Sequence, residues 1–225
     1  MPQACRDLAQ LQRGVISRHQ ALARGMSPDV IDRLIQAERW LSLRRGVYSV
    51  YTGEPPREAA LWAVVLLAGK GAALSHQTAA ALFRIADQPS SLIHVTIPHS
   101  RRMSPAAGVV IHRSRRLAEA IHPTLLPART RVEDTVLDLA DQAKSFDAAF
   151  GTVCTAVQRR LTTGDRLADA MAGRKKVRWR TELAEGLGLV GTGVHSLLEY
   201  RYVHRVERPH GLPEAVRQAL SLIHI

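Results

Sequence analysis

Ser17-Arg18-His19-Gln20-Ala21-Leu22-Ala23-Arg24-Gly25-Met26-Ser27-Pro28-Asp29-Val30-Ile31-Asp32-Arg33-Leu34-Ile35-Gln36 is the stretch on which the fold turns. Ser17, with Gln20 three residues on, makes a capping box that opens a helix, and Gly25 closes it. Ser27 caps a second helix, and Pro28 suits its first position because an N–H there would lack an intrahelical partner anyway. Val30, Ile31, Leu34 and Ile35 then fall on one apolar stripe, leaving Asp29, Asp32, Arg33 and Gln36 on the opposite face. Two short helices joined by a glycine turn, the second of them amphipathic, read as a helix-turn-helix.

Upstream, Leu8 and Leu11 predict a short first helix that Gly14 ends. Downstream of Arg39 the apolar period changes from helical to alternating. With Arg45-Gly46 as the turn, Leu41 is expected opposite Val50 and Leu43 opposite Tyr48, all four on one face of a two-stranded wing. Residues 1–53 therefore read as a winged helix-turn-helix domain, whose second paired helix enters the major groove of DNA. Arg33 and Gln36 are placed to offer donors to base edges, Ser17 and Arg18 to meet phosphate, and Arg44 and Arg45 to reach backbone or minor groove. Ser27, Asp32 and Arg39 complete the exposed set assigned to double-stranded DNA. The carboxylates work against this: Asp32 repels phosphate, while Asp29 in a first helical turn favours the helix dipole. Winged helices that only dock other proteins form the alternative reading.

The whole chain of 225 residues carries 31 Lys plus Arg against 20 Asp plus Glu, a net charge of +11 that suits a polyanionic partner. Only Lys70, Lys144, Lys175 and Lys176 are lysines, an arginine excess that a GC-rich genome explains more simply than selection for phosphate recognition does. Mean hydropathy of -0.09 excludes a disordered or membrane-embedded composition. The apolar run Ala59 to Gly69 falls short of the roughly 18 residues that a bilayer span needs, and reads as a buried helix. The polar opening Met1 to Leu8 lacks the pattern of a signal peptide, so a cytoplasmic location is expected. Cys5 and Cys154 are too few for a disulfide framework or a four-ligand zinc site, and neither stands in a CxxC pair.

Breaks at Gly53-Glu54-Pro55-Pro56 and around Gly186 to Gly193 divide the remainder into segments 57–172 and 174–225. In the former, helical spacing of Leu61, Val64, Val65 and Ala68 precedes Ser75, read as the cap of a helix burying Leu82 and Phe83. Alternating runs Leu92 to Ile97 and Val109 to Arg113 predict strands, and apolar stripes through Val132, Val136, Leu139 and through Phe146, Phe150, Val153, Val157 predict helices. The expected fold class is α+β: a winged helix-turn-helix, a small mixed α+β domain and a C-terminal helical fragment. His94 and His112 are placed to meet across a strand pair, with His76 at a helix start. None of the ten histidines pairs with another at i,i+3 or i,i+4, so no metal site is assigned. Asp134, Asp138 and Asp141 read as a solvated acidic face. No nucleophile elbow, phosphate-cradling glycine loop or HExxH motif occurs, and neither catalytic residue nor cofactor is expected. Arg174, Lys175, Lys176, Arg178 and Arg180, grouped around Trp179, read either as a secondary DNA contact or as a solvated basic linker.

The blocks Gly14 to Arg18, Gly25 to Ile31 and Leu43 to Tyr48 resemble the N-terminal winged domain of AbiEi-type antitoxins of type IV toxin-antitoxin systems. The resemblance continues through Leu74 to Ala80, Ile93 to Pro98, Val110 to Ser114 and Asp134 to Ala140. It implies a repressor of its own operon, with an operator duplex as partner and a cognate nucleotidyltransferase-like toxin that need not touch it. In the last segment, Gly193 to Glu199, Glu207-Arg208, His210 to Pro213 and Arg217-Gln218 resemble the start of very-short-patch-repair-like restriction-endonuclease-like domains. There Glu199 matches a helix glutamate that acts with acidic residues on following strands; only Ala219 to Ile225 follow here, none acidic. Glu199 is thus expected to be vestigial, and a longer parent would be a metal-dependent DNA endonuclease targeted by the winged domain. The ending Ser221 to Ile225 looks like translated adapter sequence, so a truncation is expected, with residues beyond about Glu214 poorly held.

Overall fold

The computed structural model describes residues 1–86, 90–191 and 196–213. Its contacts divide the chain into two units, Met1–Ala79 with Pro89–Thr130, and Ala80–Gln88 with Arg131–Ile225. The fold class is α+β.

The first unit begins α1 (Gln3–Leu11), β1 (Val15–Ser17), α2 (Arg18–Ala23), α3 (Pro28–Gln36), β2 (Leu41–Arg44) and β3 (Val47–Ser49), the element order of a winged helix. The caps lie where the sequence puts them. Ser17 Oγ accepts from Gln20 N at 3.1 Å while Gln20 Oε1 accepts from Ser17 N at 3.0 Å, and Ser27 Oγ accepts from Val30 N. Gly25, at φ +84°, takes the left-handed conformation that ends α2, with its N–H on Leu22 O. Ile31 is fully buried, and Val30, Leu34 and Ile35 pack with it against Cys5, Ile16, Ala21, Trp40 and Tyr48.

The wing differs from expectation in two respects. It has three strands, ordered β1-β3-β2, because Val15, Ile16 and Ser17 pair with Ser49, Tyr48 and Val47. The register is also shifted: Arg44 faces Val47 across the expected Arg45-Gly46 turn, but Ser42 rather than Leu43 faces Tyr48, and Leu41 faces Ser49. Leu43 is the extra residue of a bulge, which turns its side chain to the other face of the sheet. That face is also apolar. Val15 and Val47, alternating with Ile16 and Tyr48, pack with Leu43 against Ala59, Trp62 and Ala63. These belong to α4 (Arg57–Ala68), the apolar run of the sequence, in which seven of twelve residues are buried. A helix apolar all round needs cover on more than one side, and α4 packs on the winged sheet and also on strands of a second sheet within the same unit.

That second sheet comprises β4 (Ala73–Leu74), antiparallel to β5 (Ile93–Pro98), which runs parallel to β6 (Val109–Ser114). Between β4 and β5 lies α5 (His76–Leu82), and a short α6 (Leu117–Ala120) follows β6. The break expected at Gly53 to Pro56 thus lies inside one unit, because α4 is common to both sheets.

The second unit is helical: α7 (Val132–Gln142), α8 (Phe146–Gln158), α9 (Gly164–Ala172), α10 (Arg180–Gly191) and α11 (Leu197–Tyr202), the last running into a π-helical turn, Val203–Glu207. Phe150, Val136, Leu137, Leu167 and Leu183 are buried in its core. The loosening expected from Gly186 onward is instead helix up to Gly191. A Cβ at Gly186 would stand 2.4 Å from Phe150 Cε2, so the absent side chain is what lets α10 approach α8. Gly193 to His195, and the residues from Glu214 onward that were expected to be poorly held, lie outside the described residues. Among the described residues no helix is long and apolar enough to cross a membrane.

Candidate nucleic-acid interface

Helix α3 turns Asp29, Asp32, Arg33 and Gln36 outward, all exposed, with Arg39 exposed just beyond its end. Arg33 Nε donates to Asp29 O at 3.3 Å, which leaves its other guanidinium donors toward solvent. Ser17 and Ser27 are engaged as caps, so each holds a helix start in place and offers the hydroxyl only secondarily.

Arg18 does not stand ready for phosphate as expected. Its Nη1 and Nη2 donate to Asp32 Oδ1 and Oδ2 at 2.7 and 3.1 Å, a two-pronged pair joining the first residue of α2 to the middle of α3. Hydrogen bonding to Asp32 raises the guanidinium pKa further, and the same bonds hold the Asp32 carboxyl below its usual range. Asp32, read as a repulsive charge on the reading face, is thereby neutralised within the protein. The backbone N–H of Arg18 donates to Gly46 O at 2.8 Å, tying the start of α2 to the wing turn.

At the wing tip the two arginines differ. Arg45 is exposed, whereas Arg44 is half-buried and donates from Nη1 to Ala107 O at 2.9 Å, on the loop between β5 and β6. The contact fixes Arg44 beside that loop instead of leaving it to swing freely toward a duplex. The exposed members of the assigned set that serve neither as a helix cap nor in the ion pair are consequently Arg33, Gln36, Arg39 and Arg45.

The second basic cluster is corrected more strongly. Arg174 is 13% exposed and donates to Asp138 Oδ1 and Asp134 Oδ1, each at 2.8 Å, with Asp141 Oδ2 at 3.9 Å. The expected solvated acidic face is instead a set of carboxylates, Asp134 buried and Asp138 and Asp141 half-buried, gathered around one guanidinium. Burial is the main cause that pushes the Asp138 carboxyl up to about 6; proximity to Asp134 and Asp141 adds to it, against the opposing pull of Arg174. Arg180 donates to the carbonyls of Met171 and Arg174, and the Arg178 guanidinium lies 4.9 Å over the Trp179 ring. Lys175, Lys176 and Arg178 remain exposed. Glu199 is also engaged: its backbone N–H donates to Ser196 Oγ and its Oε2 accepts from Ser196 N, each at 3.1 Å, a capping box at the start of α11.

Sequence spacing missed one grouping. His76, His94 and His112 each bring a ring nitrogen within 4.8 Å of the others. The meeting of His94 with His112 was foreseen, and their Nδ1 and Nε2 atoms lie 3.0 Å apart. His76 joins because β4 hydrogen-bonds to β5 and delivers the residue after Ser75 onto the same sheet face. The intervals of 18 residues between the three carry no helical signal; convergence comes from sheet register.

A three-helix arrangement with a sheet-bound wing and an outward-facing second paired helix defines the winged helix-turn-helix class. In comparisons with known proteins, neither a family model nor a curated protein matches the chain. Among solved structures, the chain is similar to the Rv2827c protein from Mycobacterium tuberculosis, with a TM-score of 0.55 at 18% identity over 83% of this chain and 77% of that one. The likeness is one of fold.

Proposed function

We propose that the protein is a cytoplasmic, DNA-binding transcriptional regulator of the AbiEi antitoxin type that represses its own operon. The observation that carries this reading is the outward face of α3, where Arg33 and Gln36 lie one turn apart, clear of the core. On a helix inserted into the major groove, arginine matches the O6/N7 acceptors of guanine and glutamine matches the N6/N7 edge of adenine. The Arg18–Asp32 pair supports it by removing one carboxylate charge from that face and fixing α2 against α3. Arg45 on the wing supplies a phosphate or minor-groove contact, and the net charge of +11 favours encounter with a duplex. Any cognate toxin is encoded separately and acts without required contact.

Fluorescence anisotropy with duplex from directly upstream of the gene tests the reading, against a scrambled duplex of equal length. Binding that prefers the upstream duplex and weakens with salt supports it, because each neutralised phosphate contributes about -0.9 to the log-log slope. Equal binding to both duplexes, or affinity independent of salt, rejects it.

A further inference from the structure

We propose that His76, His94 and His112 form a three-histidine site for a divalent transition cation of the zinc class, with water or an added anion as fourth ligand. The placement rests on the second sheet. The parallel register sets His94 beside Val110 and Thr96 beside His112, so the two histidines project from the same face on a diagonal. His76, at the start of α5, lies over them, its ring centroid 3.7 Å from that of His112 and 5.8 Å from that of His94.

Polar bonds hold His76 and His94 in place. Thr78 Oγ1 accepts from His94 N at 2.8 Å, Ser75 N donates to His94 O at 3.1 Å, and Thr96 Oγ1 donates to Ser75 Oγ at 2.7 Å. His76 Nδ1 lies 2.9 Å from that same Ser75 Oγ. When Nδ1–H donates to the hydroxyl, Nε2 carries the lone pair toward the group, the outer-shell arrangement that orients metal-bound imidazoles. His76 also holds a left-handed backbone at φ +49°, uncommon for a residue with a side chain. Such strain is found where the surroundings impose a particular side-chain direction.

The donor set suits a transition cation. Neutral imidazole is the ligating form, and an all-nitrogen set selects zinc and its neighbours over calcium or magnesium. Two nitrogens on a tetrahedral zinc, with bonds of about 2.0–2.1 Å, stand about 3.3 Å apart, close to the 3.0 Å between His94 Nδ1 and His112 Nε2. The three rings are stacked, their planes within 14–29° of parallel, so binding turns His112, the half-buried member, out of the stack to aim its lone pair at the ion. His112 also gives the group its side toward solvent.

Calorimetric titration of the chelator-treated full chain with zinc chloride tests the site, with His112→Gln and the exposed, unrelated His99→Gln beside it. The expected result is one zinc per chain, affinity lowered about tenfold or more in His112→Gln, and affinity unchanged in His99→Gln. No saturable binding, equal affinity in His112→Gln, or loss in His99→Gln overturns the proposal. If His112→Gln does not fold, histidine side-chain nitrogen NMR of the unaltered chain decides: zinc shifting the ring nitrogens of His76, His94 and His112 together upholds the site, and unmoved resonances overturn it.

Discussion

Arg18 and Asp32, 14 residues apart in sequence, form a two-pronged ion pair whose N–O distances are 2.7 and 3.1 Å. The pair stands at the junction of the two helices on which the proposed recognition depends, and it takes one cation and one carboxylate out of play together. Replacing Asp32 by Asn releases the Arg18 guanidinium toward a bound duplex. The expected outcome is tighter binding to all DNA sequences and a log-log salt slope steeper by about one contact. Stability should change little, since both side chains are partly exposed and such pairs contribute weakly. Anisotropy titrations over a salt series, with a thermal melt alongside, measure both.

The exposed cations and amides divide by role. Arg45→Ala is expected to weaken binding to specific and scrambled duplexes alike, with a smaller salt slope. Arg33→Ala or Gln36→Ala is expected to cost about 1–3 kcal/mol on the preferred duplex and to relax sequence choice at one position. Competition binding against a panel of single-base variants distinguishes these; identical profiles from the two kinds of replacement contradict the assigned roles.

Gly186 tests the packing of the helical unit. Glycine to alanine inside a helix ordinarily gains about 1 kcal/mol, but here the added Cβ meets the Phe150 ring at 2.4 Å. Gly186→Ala is therefore expected to destabilise by about 1–3 kcal/mol, the usual cost of overfilling a packed core. Urea unfolding followed by circular dichroism gives the sign directly, and a stabilised variant contradicts the close approach of α10 to α8.

How much of this was legible in the sequence depends on the range of the interaction. The caps at Ser17 and Ser27 and the stripe from Val30 to Ile35 were legible because they are settled within four or five residues of chain. The bulge at Leu43 was not, because it depends on α4 presenting Ala59, Trp62 and Ala63 to the far face of the sheet. The same holds for charge: Arg174 meets carboxylates 36 and 40 residues away, and a basic run next to a glycine gives no sign of that. The histidine group was half legible, as alternation placed His94 and His112 on one face while the approach of His76 needed the pairing of β4 with β5.

Asp138 gives the helical unit a pH dependence. With its pKa raised to about 6 from an ordinary 3.8, the folded state holds a proton that the unfolded chain has released. Its contribution is complete below about pH 4 and is lost as pH rises through 6, a change of up to about 3 kcal/mol. Carboxyl carbon NMR should show Asp138 titrating near 6. The unfolding free energy should fall from pH 5 to 7.5 by a larger amount than in Asp138→Asn. An equal response in both proteins contradicts the raised pKa.

The reading of α3 as the groove-facing helix is tested most directly by amide NMR during titration with the upstream duplex. The largest shifts are expected along Ser27 to Gln36 and at Arg45, with Ile31 perturbed less than Arg33 and Gln36. Shifts confined to Lys175, Lys176 and Arg178, with α3 unmoved, would contradict it.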